Sequence, residues 1–355
     1  MNTRLLRQFA PQGLHYRAYT TLSERLRNDL TTRKLPMSFD YLQPQPSHLL
    51  NLTLHDALPQ LVKEKTINPS LPSVKKPIPL PAGHHLIYFP PQVTLSQLLP
   101  DGTDVLHTPG KPFNRRLWAG GNVKFPKTDT ELLLDGSRAV CIESIRNVAV
   151  KGRDGEEKVI VTIERRVGKA SEDETEGQTY HRIWKKEEAD LGDSSLVENR
   201  DLIFMRAKTD EQIKMDKAEF AKPGRIVRAP SDATFRHSML PTKSLLFRFS
   251  ALTFNAHSIH LDQSYTRDQE GYRNLLVHGP LTLTLLLSVL QRQLRSLHLQ
   301  VQGIEYKNLA PLFVDEELTV CGKPKNDTTW DVWIEGPGGG LSVRGTAKTA
   351  ISALP

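Results

Sequence analysis

From Leu281 to Leu290 the chain reads LTLTLLLSVL, and the apolar positions leave little of a helix surface polar. Leu281, Leu285 and Leu286 form one stripe, while Leu283, Leu287 and Leu290 cover other faces, so this helix must be wrapped on most sides. Pro280 sits where a missing N–H costs nothing, and Gly279 brings an unblocked N–H to the positive end of the helix. Downstream, SLHLQVQGIEYKN, APLFVDEELTVCGKP, TTWDVWIEGP and SVRGTAKTAI are alternating or apolar runs divided by turns. They predict strands of an antiparallel sheet. Upstream, RLWAGGNVKF reads as another strand, and RAVCIESIRNVAVKG and EKVIVTIERRV flank the hairpin signal Asp154-Gly155. Their alternation packs one face on a core and leaves the other exposed.

The remaining pattern is less regular. LSERLRNDL and LLNLTLHDALPQLVKE predict amphipathic helices joined across Pro36, Pro44 and Pro46, and KPIPLPAG reads as a connector. The sheet-like region opens at His84 with LIYFPPQV running into a loop. Residues 168–199 are crowded with charge and predict an exposed loop, with a short strand near Tyr180 to Lys185. DLIFMR predicts an edge or closing strand, a linker then runs to about Ala229, and SLLFRFSALT is a strand or short helix. Periodicity alone therefore gives an α+β chain, and 355 residues suffice for one large or two medium domains.

Composition narrows the function. Lys and Arg number 47 against 40 Asp and Glu, too mild an excess for a nucleic-acid binder, and no basic stripe interleaves with aromatics. The 2 cysteines, Cys141 and Cys321, lie in apolar runs and read as buried free thiols. No run of 18 apolar residues argues for a membrane span. Residues 1–23 hold Arg4, Arg7 and Arg17 and no acid before Glu24, which fits a mitochondrial transit peptide cut near Tyr19 and a matrix location.

The chemistry concentrates between Phe249 and Leu290. Asn255, His257 and His260 form a short polar patch, Tyr265, Tyr272 and Arg273 follow in a loop, and His278 precedes Gly279 and the apolar helix. An imidazole carries protons in either direction near neutrality, and a bare glycine N–H at a buried helix start can stabilise an oxyanion. His257, His260 and Asp262 are close enough to suggest a metal, but the two histidines are oddly spaced for one side of a strand and zinc wants three or four ligands in defined geometry. No metal and no cofactor is expected.

FSALTFNAHSIHLD, with the EGY segment and VHGPL, resembles the MaoC-like, or hydratase-2, branch of the hotdog-fold enzymes. Within it, the form is similar to a subgroup holding the fungal mitochondrial 3-hydroxyacyl-thioester dehydratases type 2 and bacterial mesaconyl-thioester hydratases. The resemblance implies a double hotdog, two curved antiparallel sheets each wrapped around a central helix. Residues 24–80 would be a helical, proline-rich extension, 81–210 a first, non-catalytic unit, 211–229 a linker and 230–355 the catalytic unit. It places the family's catalytic histidine on His260 and its catalytic aspartate on Asn255, whose amide can fix water but cannot take a proton. His257 is then either a second proton carrier or an orienting group. Gly279 is the oxyanion donor, Tyr265, Tyr272, Arg273 and His278 border the acyl pocket, and Asp262 and Pro280 are structural. The implied activity is reversible dehydration of (3R)-3-hydroxyacyl thioesters on acyl-carrier protein or CoA, in mitochondrial type II fatty acid synthesis. The alternatives are hydration of a short dicarboxylic or branched enoyl-CoA such as mesaconyl-CoA, or a non-catalytic acyl-binding protein. A homodimer is one arrangement consistent with this reading.

Overall fold

The structure, a computed structural model, describes residues 21–57, 70–126, 131–220 and 226–352. Its frame is one ten-stranded antiparallel sheet. The strands are β1 (Ser38–Tyr41), β2 (Arg115–Lys124), β3 (Arg138–Lys151), β4 (Lys158–Lys169), β5 (Leu196–Met205), β6 (Phe235–Met239), β7 (Leu299–Asn308), β8 (Leu318–Asn326), β9 (Thr329–Gly336) and β10 (Gly340–Ile351). Their order is β1-β3-β4-β5-β2-β7-β10-β9-β8-β6, so the second half repeats the order of the first in reverse. The two sheets expected from the resemblance are present as halves fused edge to edge through β2 and β7.

The seam explains Gly120-Gly121. A Cβ on Gly120 would lie 2.3 Å from the Tyr306 carbonyl oxygen, and one on Gly121 only 1.9 Å from that of Asn199. Both have strongly positive φ, 146° and 152°, beside a bulge at Trp118/Gly120. The close approach is to the backbones of the neighbouring strands β7 and β5.

The expected apolar helix is α7 (Gly279–Arg295), with every residue from Leu281 to Leu290 buried except Ser288. It packs on the inner face of the second half, against Val320, Val332, Ile334 and Val343. Between β1 and β2 no described helix matches its length. The interval holds α2 (Pro44–His55) and the 3-10 turn His84–Ile87, which lies beside α7, a Cβ on the preceding Gly83 falling 3.4 Å from the Leu287 Cβ. LIYFPPQV is thus a buried turn and crossing, not strand.

Other expectations shift. Residues 24–80 are more than an extension: α1 (Leu22–Thr31), closed by a Thr21/Glu24 capping box, buries Leu26 and Leu30 with Ile145, Val148, Val161 and Ile163, on the face of β3 and β4 that also carries Glu143 and Arg165. In the same stretch, β1 pairs with β3. Within the expected loop at 168–199 lies α3 (Glu176–Ile183), where a Thr175/Gln178 capping box starts a helix that buries Ile183. The 211–229 linker begins with α4 (Asp210–Glu219), again capped by Thr209 and Gln212. DLIFMR belongs to β5, which lies inside the sheet between β4 and β2. SLLFRFSALT is α5 (Lys243–Leu252). The leader and residues 58–69 and 221–225 lie outside the described residues. Cys141 and Cys321 are buried and free, as expected, and burial pushes each thiol up to about 12.

Candidate active site

The histidine turn is shaped by short local bonds. After α5 the chain passes through Phe254 at φ 51°. The Asn255 side-chain oxygen then accepts the backbone N–H of His257 at 3.0 Å, an Asx-type turn. This sets the 3-10 turn Ser258–His260, on which His257 and His260 are both buried. Asp262 caps the next helix, α6 (Gln263–Asp268), by accepting the Tyr265 N–H at 3.0 Å. It is exposed and acts on the turn rather than on a histidine.

Three imidazoles converge. His260 Nδ1 donates to the Leu276 carbonyl at 2.7 Å, which leaves Nε2 as the lone-pair nitrogen. The His260 ring stacks on that of His278, with centroids 3.7 Å apart, and meets the His257 ring edge-on at 5.5 Å. His278 is fully buried at the N-cap of α7, with Nε2 against the Ser250 hydroxyl at 2.8 Å. Burial drives His260 down to about 4, against the Leu276 hydrogen bond, with Arg116 adding to the fall. Burial also holds His257 and His278 well below their ordinary value, helped by His260 and, for His257, by Arg116. The cluster is therefore neutral at physiological pH, and His260 presents a lone pair.

The first half of the chain reaches into this cluster. Asp101 is 4% exposed, and its Oδ2 lies 3.5 Å from His257 Nε2. Its Oδ1 accepts from the Thr103 N–H and hydroxyl at 2.9 and 2.7 Å, and its backbone carbonyl accepts the Ser258 N–H at 2.8 Å. Gly102 beside it has φ 81°, and a Cβ there would fall 2.1 Å from the Ala256 carbonyl oxygen. Sequence reading passed over Asp101 and Arg116, because nothing local ties an Asp-Gly-Thr turn or a strand arginine to a distant histidine turn. The only hint was an arginine placed within the apolar run RLW.

Two cavities meet here. One, of about 280 Å³, is lined by His257, His260, Tyr272, Gly279, Trp118 and Arg116, among others. The other, of about 600 Å³, runs between the inner face of the first half-sheet and α5, and Asn255 and Phe254 line it. Arg116, Trp118, Leu202 and Pro280 border both. Gly279 fits against Trp118 only because it lacks a side chain, a Cβ there lying 2.7 Å from the Trp118 Cβ. Of the residues expected around an acyl pocket, Tyr272 lines the smaller cavity and His278 stands behind His260. Tyr265 and Arg273 line neither cavity. Tyr265 packs beside Ile259, Leu276 and Phe313. Arg273 is exposed, bonded to Glu316 at 2.5 and 2.6 Å and stacked over Phe313.

Fold and site together define a double-hotdog protein of the MaoC-like kind. The chain superposes on the MaoC-like dehydratase from Phytophthora capsici with a TM-score of 0.58, covering 92% of this chain and 99% of that one at 11% identity, a likeness of fold. Residues 83–314 match the hydroxyacyl-thioester dehydratase type 2 family, and the chain belongs to it. It is 29% identical over 273 residues to mesaconyl-C(4)-CoA hydratase from Chloroflexus aurantiacus, covering 76% of this chain and 84% of that protein. It is 28% identical over 305 residues to the mitochondrial hydroxyacyl-thioester dehydratase type 2 of Schizosaccharomyces pombe, covering 83% and 91%. The chain is therefore an enzyme, a hydro-lyase of the dehydratase and hydratase type.

Proposed function

We propose that the protein dehydrates (3R)-3-hydroxyacyl thioesters reversibly, with His260 as the proton carrier and the Gly279 N–H at the start of α7 as the oxyanion donor. The observation that carries this is a cavity lined by both His260 and Gly279, with the His260 Nδ1–H held by Leu276 and its Nε2 left to take a proton. In dehydration, His260 takes the α-proton and the electron pair moves to the thioester oxygen, where the helix start and its N–H stabilise the charge. The pair then returns to form the double bond as the C–O bond at the β carbon breaks, and the hydroxyl leaves as water with the proton that His260 took up. Asn255 is spent largely on its turn, so its share in holding water rests on the amide nitrogen.

The larger cavity takes the acyl chain in this reading. Leu86, Ile87, Phe89, Ile163 and Leu202 line it, and the exposed Phe247 and Phe254 border it. Within this proposal, residues beginning at β1 form a first unit that shapes the pocket, and the half from β6 onward supplies the imidazoles. The arginine-bearing, acid-free residues 1–23 and the mitochondrial names of two relatives support a transit peptide and a matrix location. Carrier protein in mitochondrial type II fatty acid synthesis is then the proposed acyl donor.

A second reading is favoured by Arg116. Among the described residues its guanidinium makes one hydrogen bond, Nη1 to Asp104 Oδ2 at 3.0 Å, although it borders both cavities. A cation so placed suits an acyl group carrying a carboxylate, as the name of the bacterial relative implies for that protein. Turnover of the purified chain with 3-hydroxyacyl and enoyl thioesters of CoA and of carrier protein, unbranched and carboxylated, decides between the two. Absence of turnover with every thioester would leave the acyl-binding alternative standing.

A further inference from the structure

We propose that Asp101, from the first half of the chain, is a positioning residue for the reaction, holding the proton of His257 on Nε2 so that the Nδ1 lone pair faces the site. The proposal rests on the dehydratase reading and adds to it a second proton group built from both halves of the molecule.

The geometry separates the two oxygens of this carboxylate. Oδ1 is used up on the Thr103 N–H and hydroxyl. Oδ2 is buried, has no hydrogen-bond partner among the described residues, and faces His257 Nε2 at 3.5 Å. A buried carboxylate oxygen left unpaired is costly. Here the cost is offset whenever His257 carries an Nε2 proton, and most when the ring is an imidazolium. A residue needed only to pin its loop would require Oδ1 and the backbone carbonyl bonded to Ser258, not a second oxygen aimed at an imidazole. Asn255 cannot supply this charge, being neutral and committed to the His257 N–H. Besides Asp101, the ionisable groups acting on His257 are His260 on its own turn, His278 at the start of α7 and Arg116 of β2.

The two imidazoles then have complementary tautomers. Leu276 holds the proton of His260 on Nδ1 and frees Nε2, while Asp101 holds that of His257 on Nε2 and frees Nδ1. In dehydration the neutral His260 removes the α-proton and passes it to the Nδ1 lone pair of His257, and the Asp101-paired imidazolium so formed gives it to the departing β-hydroxyl. Both rings end neutral, so protons balance and the products are the enoyl thioester and water.

Asp101→Asn keeps the Oδ1 acceptor and the size of the side chain but removes the charge facing His257. With the full chain we expect an unchanged melting temperature and KM, and a kcat lower by about 10- to 100-fold, at the low end of what an acid–base group supplies. Asp101→Glu should restore part of it. His257→Ala and Asp101→Asn should not multiply, the double variant being no slower than His257→Ala alone. Nitrogen-15 shifts of the His257 ring should report the Nε2–H tautomer in the parent and a changed tautomer or pKa in Asp101→Asn. Full kcat in folded Asp101→Asn, multiplicative effects, or an Nδ1–H His257 indifferent to Asp101 overturns the proposal. If the parent turns over no thioester, the dehydratase reading fails and the catalytic use of Asp101 with it. The nitrogen shifts still decide whether the two residues are paired.

Discussion

The two halves of the sheet share one strand order but line their inner faces in opposite ways. In the second half Leu318, Val320, Trp330, Val332 and Ile334 close on α7, an ordinary dry interior. In the first half the corresponding face carries Glu143, Arg165, Glu198 and Arg200. Arg165 bonds Glu143 at 2.5 Å and Glu198 at 3.1 Å, Arg200 bonds Glu198 at 2.8 Å, and His107 bonds Glu143 at 2.9 Å. Burial raises the Glu198 carboxyl, but Arg200 and Arg165 outweigh it and hold it at about 2. An inner face with no long helix against it has two outcomes, a cavity or a set of polar groups that satisfy one another, and this half has both. The lesson is that the half without the His257–His260 turn is not inert, since it provides the space, Arg116, Trp118 and Asp101.

The largest expected effect breaks the comparison from the second half. His260→Ala should lower kcat by about 100- to 10,000-fold, with Asn255→Ala much milder because its amide mainly shapes the turn. The neutral ring is the base and burial has pulled its pKa down, so kcat/KM should hold on acidification from neutrality and fall only as the pH drops through about 4. A limb near 6.5 in the free enzyme would mean that His260 is not the titrating base or is less buried than described.

Next comes the first half. Glu198→Gln leaves Arg165 and Arg200 short of charge in a buried network and should cost about 3–5 kcal/mol in denaturant unfolding. A loss comparable to a surface substitution would show that charge pairing does not hold this half together.

Gly279→Ala tests the seam between the halves. A methyl group 2.7 Å from the Trp118 Cβ should cost about 1–3 kcal/mol of stability by overpacking, and it should lower turnover by shifting the helix start. An unchanged melting temperature would mean that the halves are not packed tightly at this point. The smallest effect is expected at Arg273→Ala, which removes an exposed pair with Glu316 worth at most about 1 kcal/mol. Turnover should change by less than twofold, and a tenfold rise in KM would return Arg273 to the substrate.

The sequence by itself determined what local pattern can encode. Leu281 to Leu290 could only be a wrapped helix, the alternating runs could only be strands of a half-buried sheet, and the motif around Asn255, His257 and His260 carried the family. The capping boxes at Thr21, Thr175 and Thr209 were equally local, and the latter two were overlooked beneath runs of charge that suggested loop and linker. Tertiary structure alone decided the rest. Whether Arg165 faces water or Glu143 depends on which face of β4 turns inward. The meeting of Asp101 with His257 depends on the fusion of the two half-sheets through β2 and β7. Such contacts join residues far apart in the chain, and neither periodicity nor spacing records them, because the energy that selects them comes from burial and charge pairing in the assembled fold.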